Sequence, residues 1–133
     1  MSNVQQLPIG VFDSGVGGLS VLKVLQEQFP NEDFIYIGDN ANNPVGNRSD
    51  DEITYLACHI AEALEKQPVK LMVIACNTFT VVALDAVRER VSVPVIGVSQ
   101  GVKTAISQSK SKTIGIMATA ATVNSHIHKH VAL

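Results

Sequence analysis

Short β-rich runs recur along the chain as PIGVF (8–12), DFIYI (33–37), LMVIA (71–75), VPVIGV (93–98) and TIGIM (113–117). Each is apolar almost without interruption, the pattern of a strand covered on both faces rather than one that alternates between core and water. Helical periodicity fills the intervals. In GLSVLKVLQEQF, Val21, Leu22, Leu25 and Phe29 share a stripe, and Pro30 stops the helix. The next helix opens with a capping box in which Ser49 accepts from the backbone three residues on while Glu52 reaches back. Its buried stripe is Ile53, Leu56, Ala57, Ile60 and Leu64. A third helix follows Thr78, with Ala83, Leu84, Val87 and Val91 inward and Arg88 and Arg90 near its negative end. Strands alternating with helices of this length predict an α/β fold, a doubly wound parallel sheet with helices on both faces.

Composition narrows the function classes. The 133 residues are 46% apolar and 17% charged, which suits one soluble unit with a sizeable core. A net charge of −2 offers no broad basic surface to nucleic acid or to an anionic membrane. Aromatics are 5% and Trp is absent, which argues against base-stacking platforms. No apolar run approaches the ~20 residues needed to span a bilayer. The opening MSNVQQLP lacks the basic and apolar blocks of a signal peptide. Cys58 and Cys76 form neither a CxxC pair nor a disulfide framework, so a reducing cytoplasm is the expected setting.

In open parallel sheets ligands sit outside the carboxyl ends of the strands. The residues there are Asp13 and Ser14, Gly38 and Asp39, Cys76 to Thr78, Ser99, and Ala118 with Thr119. Free cysteine usually just packs. Cys76, however, ends its strand, is followed by the cap-forming residues Asn77 and Thr78, and so would feel a helix dipole that favours the thiolate. Asp13 is either a helix cap or a proton-relay or ammonium-binding group. Glycines 15, 17 and 18 let backbone approach a ligand and leave N–H groups for a carboxylate or phosphate. Gly15-Val16-Gly17 with Asp39 also raises a dinucleotide-binding reading, although Ser20 stands at the third glycine position.

The loop GDNANNPVGNRSDD (38–51) reads as a surface loop or as a wall of the site. Cys58 lies off the apolar stripe of its helix, a flank position without chemistry, and His59 reads as a solvated residue. In HIHKH, His126 and His130 share a face of the expected helix and His128 does not, short of the three or four ligands of a zinc site. No metal is expected.

The segments IGVFDSGVGGLSVL, PNEDFIYIGDNANNPVG, LMVIACNTFTVVAL and VPVIGV, in this order, resemble the glutamate racemases of the aspartate/glutamate racemase superfamily. The resemblance runs from about residue 8 to about residue 125, and the DSGxGG and CNT motifs together are specific. It implies cofactor-independent interconversion of L- and D-glutamate, supplying D-glutamate for peptidoglycan. One cysteine removes the α-proton and a second, on the opposite face, delivers one. Carried over by motif, Cys76 is the first of these, with Asp13 assisting its proton traffic. Asp13 and Ser14 contact substrate, and so do Val45 and Gly46, where the family has PYG. Asn77 and Thr78 bind the carboxylate, and Thr119 and Thr122 of ATAAT match a GTxxT segment.

The resemblance also implies a two-lobed plan. Residues 1–98 carry both motifs as the first α/β lobe, and 99–133 begin a second. The partner cysteine is expected in a CTH segment beyond residue 133, so the chain alone is expected to be inactive as a racemase. Phe79 and Ala118 depart from the small residue and the glycine of the family pattern, and GVSQGV lacks its proline. Missing strands leave apolar surface, which predicts self-association. The alternative function is a non-catalytic module that binds a small dicarboxylate.

Overall fold

The computed structural model describes residues 3–98 and 101–132. Its strands are β1 (Ile9–Asp13), β2 (Phe34–Gly38), β3 (Leu71–Ile74) and β4 (Val95–Gly97), all parallel in the order β2-β1-β3-β4. Asp13 pairs with Gly38 on one side of β1, and Phe12 with Ile74 on the other. From β1 the chain steps outward to β2. From β3, on the opposite side of β1, it steps the other way to β4. β1 and β3 therefore flank the switch point, where a crevice opens beyond the strands' carboxyl ends.

The helices are α1 (Gly18–Gln28), α2 (Asp50–Glu65), α3 (Asn77–Arg90), α4 (Val102–Gln108), α5 (Ala120–Asn124) and α6 (Ile127–Ala132). The expected doubly wound arrangement is present. α2 and α3 cover one face of the sheet, where Phe12, Met72, Ile74, Ile53, Leu64, Phe79 and Val87 are all fully buried. Burying each such side chain contributes roughly 1.5–3 kcal/mol. Close approach is built in at Gly10, where a Cβ would lie 2.7 Å from Leu64 Cδ2. α1 covers the other face, its Leu22 and Leu25 packing on Ile9, Val11 and Val73.

The capping box forms as read: Glu52 N donates to Ser49 Oγ at 3.2 Å, and Ser49 N donates to Glu52 Oε2 at 3.1 Å. All five stripe residues of α2 are buried. Cys58 corrects the reading, because it is buried in the same core. α2 is wedged between sheet and α3, so its buried arc is wider than its apolar stripe. His59 is exposed, as expected, and its ring stacks on Tyr55.

Two further expectations fail. Phe29 is 52% exposed, because it lies just past the end of α1, where its N–H donates back to Leu25 and its ring leaves the packed stripe. TIGIM (113–117) is not a strand. A parallel strand exists only through its partners, and this stretch joins no ladder of the sheet; Met117 is fully exposed. Ser99 lies outside the described residues. Among those described, no helix is long and apolar enough to cross a membrane.

Candidate active site

Strand alternation puts Asp13 on the α1 face at the carboxyl end of β1. It is buried, and its Oδ2 accepts from Gly15 N at 3.1 Å and Gly18 N at 3.0 Å. The turn into α1 needs glycine at 18, where a Cβ would sit 2.6 Å from Asp13 Cβ. Two of the three glycine N–H groups read from sequence as available to a ligand, those of Gly15 and Gly18, are thus taken by the protein's own carboxylate. A dinucleotide phosphate at Gly15 and Gly18 would have to displace it, which counts against the dinucleotide reading.

Cys76 follows β3 and is itself the N-cap of α3, so the helix begins at Asn77 rather than after Thr78. Its Sγ accepts from Phe79 N at 3.4 Å and donates to Ser14 Oγ at 3.4 Å. Burial pushes the thiol above its ordinary value of 9.0. The bonds to Ser14 and Phe79 pull the other way and do not win, and the Asp13 charge adds to the rise. The expected drift toward thiolate is therefore corrected, because desolvation outweighs the helix terminus. Phe79 is a core residue, its ring tilted against Phe12 at 6.3 Å.

The 38–51 loop packs on the core and on α5. Asn42 Nδ2 donates to Asp39 Oδ2 at 2.8 Å. Val45 is buried in the core, so its side chain packs the loop down. Gly46 lies against α5: a Cβ there would be 2.6 Å from Thr119 Cβ, and Ala121 N donates to Gly46 O at 3.1 Å. Thr119 caps α5 and bonds Thr78, Oγ1 to Oγ1, at 2.9 Å. Thr119 Oγ1 donates to Thr122 Oγ1 at 3.1 Å, and Asn77 Nδ2 donates to the same atom at 3.3 Å. A continuous polar chain thus joins Thr78, Thr119, Thr122 and Asn77.

Beside it opens a cleft of about 400 Å³ with Ala75, Asn77, Ala118, Thr122 and His128 in its walls. Cys76 does not line it; at 6% exposure its sulfur meets Ser14 instead. His126 has a left-handed φ of 54° and precedes α6, so the histidines do not share one helix as expected. Among the described residues, no three His, Cys, Asp or Glu are grouped to hold a metal.

The family described as Asp/Glu/Hydantoin racemase matches residues 9–132. The chain belongs to this family. It is 50% identical to the glutamate racemase of Herpetosiphon aurantiacus over 87% of its own length and 46% of that protein's. Among solved structures, glutamate racemase from Aquifex pyrophilus superposes with a TM-score of 0.86 at 42% identity, covering 93% of this chain and 50% of that one. The Francisella tularensis glutamate racemase, solved in complex with D-glutamate, gives a TM-score of 0.81 at 41% identity, over 96% and 48%. The chain is thus a glutamate racemase-like protein that spans about half the length of the curated relatives it matches.

Within this racemase-family fold, hydrogen bonds and packing bring Asp13, Ser14, Gly46, Cys76, Asn77, Thr78, Thr119 and Thr122 together beyond the carboxyl ends of β1 and β3. Tyr36 was missed. The sequence offered one signal for it, a hydroxyl two residues before the end of β2 and so on the same face as that strand's edge.

Proposed function

We propose that this chain forms one face of a glutamate racemase site, with Cys76 as the thiol that exchanges the substrate's α-proton. The observation that carries this reading is the pairing of Cys76 with Ser14 at the β1/β3 switch point, beside the Asn77–Thr122–Thr119–Thr78 chain. Asn77 and Thr78, with Thr119 and Thr122, supply hydrogen-bond donors for the α-carboxylate, where charge builds as the proton leaves. Val45 and Gly46 set the loop wall, and Asp13 with Ser14 borders the substrate. A thiol kept neutral by burial is suited to give a proton; acting as a base, it must first pass its own proton on, and Asp13 is the neighbouring relay. The chemistry needs only the protein's own groups, and it supplies D-glutamate for cytoplasmic peptidoglycan synthesis.

Inversion requires removal and delivery from opposite faces of one carbon. Residues 1–98 make the first lobe of the site and 99–133 begin the second. Cys58 is buried in α2 and cannot serve the other face, so the 133 residues offer one thiol at this edge. Incubation with each enantiomer of glutamate in D2O tests this by NMR and chiral chromatography. The expected result is α-proton exchange on one enantiomer, lost in Cys76→Ser, with negligible racemisation. Racemisation that depends on Cys76 would mean that a second donor lies within these residues. Absence of both exchange and calorimetric binding would overturn the racemase reading.

A second reading follows from the buried thiol: a module that holds a small dicarboxylate without chemistry. Binding heat with no exchange would select it. We also infer that the uncovered 114–117 stretch drives self-association.

A further inference from the structure

Tyr36 has no role in the site as built so far. It pairs with Val11 across β1 and β2, on the sheet face covered by α1. From there its hydroxyl reaches the Gly15 carbonyl and donates to it at 2.8 Å. The other side of Gly15 is fixed as well, since its N–H donates to Asp13 Oδ2 at 3.1 Å. Two strands therefore grip one residue, β1 through a carboxylate and β2 through a phenol.

The space around that carbonyl is closed. A Cβ on Gly38 would lie 2.3 Å from Gly15 O, and a Cβ on Gly18 would lie 3.0 Å from the Tyr36 hydroxyl. Ser14 sits between Asp13 and the gripped Gly15, and its Oγ meets Cys76 Sγ at 3.4 Å. A sulfur contact of that length is set by where the turn is held. We propose that Tyr36 is a positioning residue: through the Gly15 carbonyl it holds the Ser14 hydroxyl on the Cys76 sulfur and keeps that thiol aligned for proton transfer. Burial, with the Asp13 charge, raises the Tyr36 hydroxyl above its ordinary 10.0, so it remains a donor throughout the neutral range. The titratable group acting on Cys76 is Asp13 from β1, while Tyr36 from β2 reaches the thiol only through the Gly15–Ser14 turn.

This role presupposes that Cys76 is the proton-transfer thiol, yet it can be read on the thiol itself, without turnover. Loss of α-proton exchange and loss of the Tyr36 effect are therefore separate outcomes. In the full chain, the pH profile of iodoacetamide alkylation at Cys76 is followed by peptide mass, with buried Cys58 in the same digest as a reference. Tyr36→Phe keeps the ring and removes one hydrogen bond. It should move the profile to higher pH, slowing alkylation about threefold below the midpoint. Ser14→Ala should slow it at least as much, and adding Tyr36→Phe to Ser14→Ala should move it by less than Tyr36→Phe does alone, since only the Ser14 backbone contact is then left to disturb. A merely structural Tyr36 would lower the unfolding midpoint and leave the profile in place, which overturns the proposal; so would shifts that add. If Ser14→Ala leaves alkylation unchanged, the proposal also falls, whatever Tyr36→Phe does.

Discussion

Cys76 Sγ and Ser14 Oγ lie 3.4 Å apart although 62 residues separate them in sequence. The fold makes the contact by setting β1 beside β3, so that the turn after one meets the helix cap after the other. Anything that moves either strand end, or the charge beside it, is therefore read out at this thiol.

Asp13 gives the most direct test of that charge. Its carboxylate disfavours the Cys76 thiolate, so Asp13→Asn should shift the alkylation profile of Cys76 to lower pH. The same change weakens the two bonds from Gly15 N and Gly18 N, and should cost about 1–3 kcal/mol in urea unfolding. A profile that moves to higher pH instead would mean that Asp13 acts on Cys76 through its grip on Gly15 rather than through its charge.

Gly46 tests the loop wall. An added methyl would meet Thr119 Cβ and Cγ2 at 2.6 Å, and Thr119 is already bonded to Thr78 and to Thr122. Gly46→Ala should cost about 1–3 kcal/mol by overpacking and weaken glutamate binding measured by calorimetry. Gly115→Ala is the control, since nothing lies within 4 Å of its added carbon. Equal stability of the two variants would contradict the packing of the loop against α5.

How much of this was legible in sequence depends on how local the cause is. The Ser49/Glu52 box is set by a spacing of three residues, and it formed as read. The strand-end rule brought Asp13 and Ser14 together with Cys76 to Thr78 because the topology sets β1 beside β3. TIGIM misled because an apolar run reports what a segment would do if paired, not whether a partner is there. Cys58 was misplaced because the width of a helix's buried arc depends on what packs beside it. The Cys76 thiol was read from its helix terminus, a local effect, whereas the larger effect is burial by distant parts of the chain. Tyr36 was overlooked since its partner, Gly15, is 21 residues away.

The capping box also carries a pH prediction. Bonds from the Ser49 backbone and side chain hold the Glu52 carboxyl below its ordinary 4.5. A group whose folded pKa is depressed contributes stability above its unfolded pKa, and that contribution is lost as pH falls through the folded value. Glu52→Gln mimics the protonated form without the charge at the start of α2. Its urea midpoint should fall below the parent's at neutral pH, and the two should converge in acid below the folded pKa. A constant gap across that range would mean that the carboxylate charge is not what the cap uses.

The stretch 114–117 makes the last prediction. Met117 is fully exposed and Ile116 is 43% exposed, on a segment outside the sheet ladders. Exposed apolar side chains on backbone outside any ladder invite a second chain, and lysine is the residue that natural sheet edges use against this. Sedimentation velocity over rising concentration should therefore show self-association. Ile116→Lys with Met117→Lys should return the chain to a monomer with its thermal midpoint unchanged, because neither side chain is in the core. Self-association that survives both lysines would place the contact elsewhere, and a parent chain that stays monomeric at every concentration would remove the idea altogether.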